Sequence, residues 1–296
     1  MKIRVGYGLG NLRSLGGERL GALAEAIEHN GFDSLWLSER ISGPAPDPVL
    51  GLTFAAARTK KIKLGTSVQV LPGRSPARVA KSWATLAALS GGRALPAFGL
   101  GIVHPVEQQA FGVERKQRAA IFDEALPLIR RLWEEDAVDH DGEHFHYEGM
   151  TVLPHPKKHL DVWLGGKAPS ELRRVGKLSD GWLASFSTPE DCKASRVTIE
   201  EAAEAAGRSI DDDHFGAMVF YTHEELPERL VEMISARNPG ADPHDLVAHG
   251  WPAVRDLCDR FVAVGFTKLV LVPFSEPGNW DDELAASAAS VLSIQN

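Results

Sequence analysis

The sequence predicts a single α/β domain with the architecture of a (β/α)8 TIM barrel. Short β-rich segments alternate with longer segments of helical periodicity along the chain, which is typical of parallel βαβ units. Eight strand candidates occur in order, without a segment that has the composition of a linker. A chain of 296 residues can form one barrel of about 250 residues with insertions. A closed barrel is therefore favoured over an open doubly wound sheet.

The first half of the chain supplies four strand–helix pairs. In the first helix, Leu20, Leu23, Ala24 and Ile27 recur at helical spacing, and Gly31 suits the end of the helix. The fourth pair contains the longest helix, whose apolar residues lie along one face. The predicted strands are 3–9, 34–38, 62–71 and 94–100, and the predicted helices are 18–30, 48–59, 75–89 and 114–135.

The second half begins with a polar segment and then resumes the alternation. Residues 136–153 are rich in Gly and His, which predicts a surface hairpin inserted before the fifth strand. A further insertion is expected between the fourth strand and its helix. The remaining predicted strands are 162–164, 180–185, 214–221 and 268–272, and the predicted helices are 169–178, 189–206, 224–236, 253–264 and 280–292.

Composition excludes several classes of function. The net charge of −8 argues against broad binding of nucleic acid, which requires a basic face. The two cysteines, Cys192 and Cys258, have no metal-binding or pairing pattern and indicate a reducing compartment. No stretch approaches the roughly 18 consecutive apolar residues of a membrane span. We therefore expect a cytoplasmic protein that binds neither nucleic acid nor membrane.

Glycines follow two of the strands whose carboxyl ends form the expected site. A dinucleotide fingerprint needs three glycines in the pattern G-x-G-x-x-G. In the run GYGLGN at positions 6–11, the third glycine is replaced by Asn11. In the run that begins with Gly99 and Gly101, it is replaced by His104. A Rossmann site is therefore not predicted. Glycines at strand ends more simply allow a planar ring to approach the backbone.

Two other strand ends carry charge or free amides. Gly165, Gly166 and Lys167 follow the fifth strand and open a helix, so their backbone N–H groups could bind an anion, although an ordinary tight turn would look the same. Glu39 and Arg40 end the second strand, where they could bind a polar substrate or simply pair with each other.

The histidines of the polar segment raise the possibility of a metal site. His144 and His146 would point to one face of a strand, but no third ligand has convincing spacing. Solvated histidines explain the segment better, and no metal is predicted. The residues considered are His140, His144, His146, His155 and His159.

Seven segments together resemble the bacterial luciferase-like superfamily, and in particular its oxidoreductases that use coenzyme F-420. Each segment is a weak signal alone, but they occur in family order over nearly the whole chain. They are GFDSLW (31–36), IKLGTSV (62–68), PARVAK (76–81), LAALSGGR (86–93), EALPLIRRLW (124–133), VWLGG (162–166) and LSDGW (178–182).

The resemblance implies a barrel with its cofactor at the carboxyl ends of the strands, and a homodimer formed through helices near the second and third strands. It places a non-proline cis peptide at Ser67–Val68, against the ring of the cofactor. It also identifies Gly165 and Gly166 with the phosphate-binding loop of the family. The cofactor-binding residues expected on this basis are Glu39, Ser67, Val68, Gly99, Gly101, Ile102, Gly165, Gly166 and Lys167.

Two departures from the family pattern bear on catalysis. Arg40 stands where many relatives have a histidine near the transferred hydride, and Ile102 stands where several have an acid. The acid and base of the sugar-phosphate dehydrogenases are therefore not supported. We expect Arg40 or His104 to stabilise or protonate a developing anion on another small organic substrate.

The resemblance favours coenzyme F-420 as the hydride carrier, supplied in reduced form by a separate reductase or dehydrogenase. One alternative is an FMN-dependent two-component monooxygenase of the luciferase type, fed by a partner reductase. Another is a flavin-binding protein without catalytic activity.

Overall fold

A computed structural model of the chain describes residues 2–10 and 16–296. Its central feature is a ring of parallel strands in which each strand pairs with the next and the eighth pairs with the first, which confirms the predicted barrel. The barrel strands are, in order, Arg4–Gly8, Ser34–Leu37, Lys63–Thr66 with Gln69–Val70, Ala94–Leu95 with Ala97–Gly99, Trp163–Leu164, Gly181–Ala184, Phe215–Thr222 and Lys268–Pro273.

The third and fourth strands are each divided in two, whereas the sequence predicts continuous strands. The third strand is interrupted at the cis peptide Ser67–Val68, and the fourth at Pro96, which has no N–H group to give to the sheet. The first half of the third strand nevertheless pairs with the first half of the fourth, where Leu64 is in register with Ala94. The second halves also pair with each other, and there Val70 is in register with Gly99. The barrel therefore closes across both interruptions.

The helices surround the barrel largely as predicted. Helix 224–236 begins later than expected, after Pro227, and helix 253–264 begins earlier, at Gly250. The helices are Gly17–His29, Pro48–Arg58, Pro76–Leu89, Pro105–Phe111, Arg118–Glu134, Pro169–Leu178, Pro189–Ala205, Glu228–Arg237, Pro243–Leu246, Gly250–Ala263 and Trp280–Val291. Within residues 2–10 and 16–296, none of them combines the length and the apolar character that a bilayer crossing requires.

Both predicted insertions are present. The segment after the fourth strand contains helix Pro105–Phe111, which the sequence pattern did not indicate. The predicted helix 114–135 starts as a 3-10 turn at Arg115–Gln117 and continues as the α-helix Arg118–Glu134. The polar segment forms an antiparallel hairpin of strands Val138–Asp141 and His146–Met150. A short strand, Val247–His249, also extends the edge of the seventh strand and was not predicted.

Two tryptophans fill the interior of the barrel. Trp36 and Trp163 are buried, and their rings meet edge to face with centroids 6.4 Å apart. Inward-facing glycines make room for them: a Cβ on Gly65 would lie 2.5 Å from Trp36, and one on Gly181 would lie 2.6 Å from Trp163. The two indoles thus form a packed layer in the barrel interior, the tryptophan floor.

Candidate functional site

A cavity of about 590 Å³ opens at the carboxyl ends of the barrel strands. The structure brings most of the predicted site residues to its wall: Glu39, Arg40, Ser67, Val68, Gly99, Gly101, Ile102, Gly165 and Gly166. His104 and Lys167 are not part of that wall. His104 is exposed and precedes the first turn of helix Pro105–Phe111. Asn11, at the end of the first glycine-rich run, lies outside the described residues.

The divided third strand forms one side of the cavity. The peptide Ser67–Val68 is cis, as the family resemblance implies. A Cβ on Gly99 would lie 2.6 Å from Val68 Cγ2, and one on Gly165 would lie 3.1 Å from Val68 Cγ1. These two glycines therefore make room for the Val68 side chain, and the strand bulges into the cavity over them.

Glu39 holds this bulge in place from the second strand. Its side chain is only 2% exposed and is paired with Arg74, rather than with Arg40 as one interpretation of the sequence allowed. The Val70 N–H donates to Glu39 Oε2 at 2.7 Å, and the Glu39 N–H donates to the Val68 carbonyl at 3.2 Å. Burial raises the pKa of Glu39, and the nearby Arg74 charge opposes that rise.

Arg40 is half-buried at the cavity and is the candidate cationic group of the site. In the described part of the chain it forms neither a hydrogen bond nor an ion pair with another side chain. Its positive charge helps to lower the pKa of Glu107. Arg40 is therefore placed to act on a bound molecule.

Glu107 anchors the loop that carries Arg40. This buried carboxylate accepts hydrogen bonds from the N–H groups of Ile41 and Ser42, at 3.0 and 2.8 Å. Burial raises its pKa, but a hydrogen bond from the Ser42 hydroxyl, together with the two N–H groups and the Arg40 charge, holds the pKa below the usual value. Glu107 could not be found from the sequence, because it lies in a helix that the pattern did not indicate.

The loop after the fifth strand binds an oxyanion, and that oxyanion belongs to the chain itself. Glu171 Oε2 accepts hydrogen bonds from the N–H groups of Lys167 and Ala168, both at 3.0 Å. Gly166 has a φ of +119°, and a Cβ there would lie 2.8 Å from Glu171 Cβ. The Lys167 ammonium group contacts Asn238 Oδ1. The geometry supports an anion-binding loop in which the carboxylate occupies part of the donor set.

The opposite wall of the cavity is aromatic. Phe186 stacks on Phe220 with centroids 4.0 Å apart, and Phe274 meets the Phe220 ring edge-on at 5.6 Å. Met218 and Met233 extend this wall. Phe186 has a φ of +49°, a conformation that few non-glycine residues adopt. This wall was not predicted from the sequence, because the contact between its rings depends on tertiary packing.

Two histidines of the hairpin hydrogen-bond with nearby carboxylates. His140 contacts Glu124 at 2.9 Å, and His146 contacts Asp141 at 2.7 Å. Both imidazoles therefore lie beside carboxylates.

These features define an α/β-barrel enzyme with a ligand cavity at the carboxyl ends of its strands. The family model described as luciferase-like monooxygenase matches residues 8–256. The chain belongs to this family, which confirms the resemblance drawn from the sequence.

Individual relatives share much of the chain. It is 29% identical over 299 aligned positions to an F420-dependent glucose-6-phosphate dehydrogenase of Kineococcus radiotolerans, covering 88% of this chain and 87% of that one. A similar enzyme of Nakamurella multipartita is 28% identical, with 71% of this chain and 65% of the relative covered.

A solved F420-dependent secondary alcohol dehydrogenase, in complex with an F420-acetone adduct, has a TM-score of 0.83 and 19% identity, with full coverage of both chains. At that level of identity, the structural likeness bears on the fold alone.

Proposed function

We propose that the protein transfers a hydride between coenzyme F-420 and a small organic substrate. The observation that carries the proposal is the cavity wall formed by the Ser67–Val68 bulge, with an oxyanion-binding loop at its edge. The F420-dependent names of the sequence relatives support the choice of cofactor. When bound, a deazaflavin would accept or donate the hydride.

The residues of the chain have separate tasks in this proposal. The bulge at Val68 would support the ring, and the amides of the loop at Gly166 would bind a phosphoryl group. Glu39 would act indirectly by holding the bulge. Arg40 would bind the substrate oxygen and stabilise its negative charge, but it cannot serve as a base because a guanidinium keeps its protons. His104 is exposed, so proton exchange is assigned to solvent at the mouth of the cavity.

Cofactor binding is the direct test. Purified protein is titrated separately with F-420 and with FMN, and binding is followed through cofactor fluorescence. We expect saturable binding of F-420 and at least tenfold weaker binding of FMN. Tighter binding of FMN would favour the monooxygenase alternative instead. Binding of F-420 without oxidation or reduction of the cofactor by a broad set of alcohols, aldehydes and ketones would favour a binding protein without catalytic activity.

We also propose a homodimer formed through helix Pro48–Arg58. Leu50 on this helix is 72% exposed and Phe54 is 39% exposed, and such apolar side chains are candidates for burial in an interface. Size-exclusion chromatography with light scattering should give a dimer, and Leu50→Glu should give a monomer. A monomeric wild-type protein would contradict this proposal.

The proposed setting is a reducing cytoplasm, where a separate enzyme supplies the reduced cofactor. The buried thiols of Cys192 and Cys258 form no disulfide, which supports a reducing compartment.

A further inference from the structure

We propose that the substrate is an uncharged carbonyl compound with an aromatic or similarly flat apolar group, or the corresponding alcohol, rather than a sugar phosphate. This inference rests on the proposed function and adds the class of molecule that the cavity selects. Three features of the described residues carry it: an aromatic wall, charged groups that are already engaged, and the Arg40 guanidinium, which has no side-chain partner.

The aromatic wall gives the cavity a flat apolar surface. Phe186 and Phe220 lie nearly parallel, with 16° between their planes, and Phe274 stands at 61° to Phe220. A ring placed beside this cluster can continue the stacked and edge-to-face contacts that aromatic groups prefer. Met218 and Met233 line the same region, and their thioethers pack well against aromatic groups of varied shape. The phenyl rings themselves offer a sugar hydroxyl group no conventional hydrogen-bond partner.

The charged groups around the cavity are mostly engaged within the protein. Glu39 is paired with Arg74, and Glu107 accepts two backbone N–H groups of the loop after the second strand. The Arg118 guanidinium donates to the carbonyl groups of Leu100 and Ile102, at 3.2 and 3.3 Å. A phosphate monoester needs several cationic or N–H donors close together. Among the described residues, Glu39, Glu107 and Arg118 do not provide such a set of donors beside the aromatic wall.

Among the described residues of the cavity wall, Arg40 is a cationic group that forms neither a hydrogen bond nor an ion pair with another side chain, whereas the Arg118 guanidinium is engaged by carbonyl groups. A guanidinium at this position can donate hydrogen bonds to an oxygen atom that becomes negative during reaction. In ketone reduction, a hydride from the reduced cofactor would form a C–H bond at the carbonyl carbon while the C=O π bond breaks. Its electron pair would pass to oxygen, which takes a proton from solvent, and the cofactor would be oxidised. Alcohol oxidation would follow the same steps in reverse.

The test measures ligand binding by the protein loaded with F-420, so it does not depend on turnover. The probes are 1-phenylethanol, acetophenone and glucose 6-phosphate, and the readouts are the thermal midpoint and cofactor fluorescence. We expect both aromatic probes to raise the midpoint and glucose 6-phosphate to leave it unchanged. The opposite result, with F-420 still bound, would overturn the substrate assignment and leave the cofactor assignment standing. Failure of F-420 itself to bind would overturn the proposed function and this inference together.

Two variants localise the effect. Phe220→Leu keeps an apolar side chain but removes the stacking ring, and Phe186→Gly suits the positive φ at that position. Each should weaken binding of the aromatic probes at least tenfold and change F-420 affinity less than twofold. The matched control is Phe145→Leu, since Phe145 lies in the hairpin and not in the cavity wall. Unchanged affinity for aromatic probes in both cavity variants would overturn the inference.

Discussion

Replacing Glu171 by Gln should strengthen cofactor binding. The Glu171 carboxylate accepts hydrogen bonds from the Lys167 and Ala168 N–H groups, where the proposed phosphoryl group would compete with it. Glutamine keeps an oxygen that can accept from the same N–H groups, so the start of helix Pro169–Leu178 should be retained. The substitution therefore removes a negative charge with little change in shape.

The expected gain follows from the charge and its exposure. Two like unit charges about 5 Å apart repel by roughly 1 kcal/mol in water and about 3 kcal/mol near a protein surface. Glu171 is half-buried beside exposed backbone, so solvent screening favours the lower value. A gain of about 1 kcal/mol corresponds to roughly fivefold tighter binding. The gain should shrink as salt is added, because exposed charges are screened over about 10 Å at 0.1 M salt.

F-420 titrations of wild type and variant, at low and high salt, measure this effect. The control is Glu190→Gln, which removes a charge from the first turn of helix Pro189–Ala205, where Glu190 pairs with Arg260. The control should leave F-420 affinity unchanged. If Glu171→Gln bound F-420 no more tightly than wild type while its circular dichroism was unaltered, the phosphoryl group would not use these amides and the reasoning would be refuted.

Three further substitutions test the frame of the site. Glu39→Gln should lower the free energy of unfolding by about 1–3 kcal/mol and weaken F-420 binding, because it breaks a buried ion pair that stabilises the bulge. A urea unfolding curve with an unchanged midpoint and slope would contradict this prediction. Asp180→Asn should cost about 2–4 kcal/mol near pH 7, since the carboxylate contacts Arg130 at 2.6 Å. Burial opposes ionisation, but the Arg130 charge and hydrogen bonds hold the pKa of Asp180 below its usual 3.8. The stabilisation by this carboxylate is therefore present above pH 3.8 and is lost as pH falls through the folded-state pKa. If the difference in unfolding free energy between wild type and Asp180→Asn stayed constant into strong acid, this linkage would be disproved. Gly65→Ala should lower stability by about 1–3 kcal/mol because its Cβ would lie 2.5 Å from Trp36, and a thermal midpoint equal to wild type would show that the indole can move.

The alternation of strands and helices could be predicted because it is a local pattern. Residues such as Leu20 and Ile27 repeat at helical spacing, and each strand is a short β-rich run. The break at Pro96 has a local cause that could have been used. The short helix Pro105–Phe111 could not be inferred in the same way, because it has few residues and little apolar periodicity.

The site was predictable to the extent that barrel geometry brings strand ends together. Gly165 was placed there because it follows a strand and Val68 because the family resemblance implied it, and both residues lie on one cavity. Glu171 was missed because its position three residues after Ala168 resembles a capping box without the usual serine or threonine. The contact of Phe186 with Phe220 depends on tertiary packing, since barrel strands are buried on both faces and a sequence does not tell which face is interior.

The tryptophan floor has a consequence for the order of events. Trp36 and Trp163 are buried against each other in the barrel interior, and the cavity opens at the carboxyl ends of the strands. We therefore expect small molecules to arrive and depart at that end of the barrel. A large cofactor resting on the bulge would narrow the mouth of the cavity for whatever follows it. We therefore expect sequential kinetics in which F-420 binds first and leaves last, and product-inhibition patterns would reveal that order.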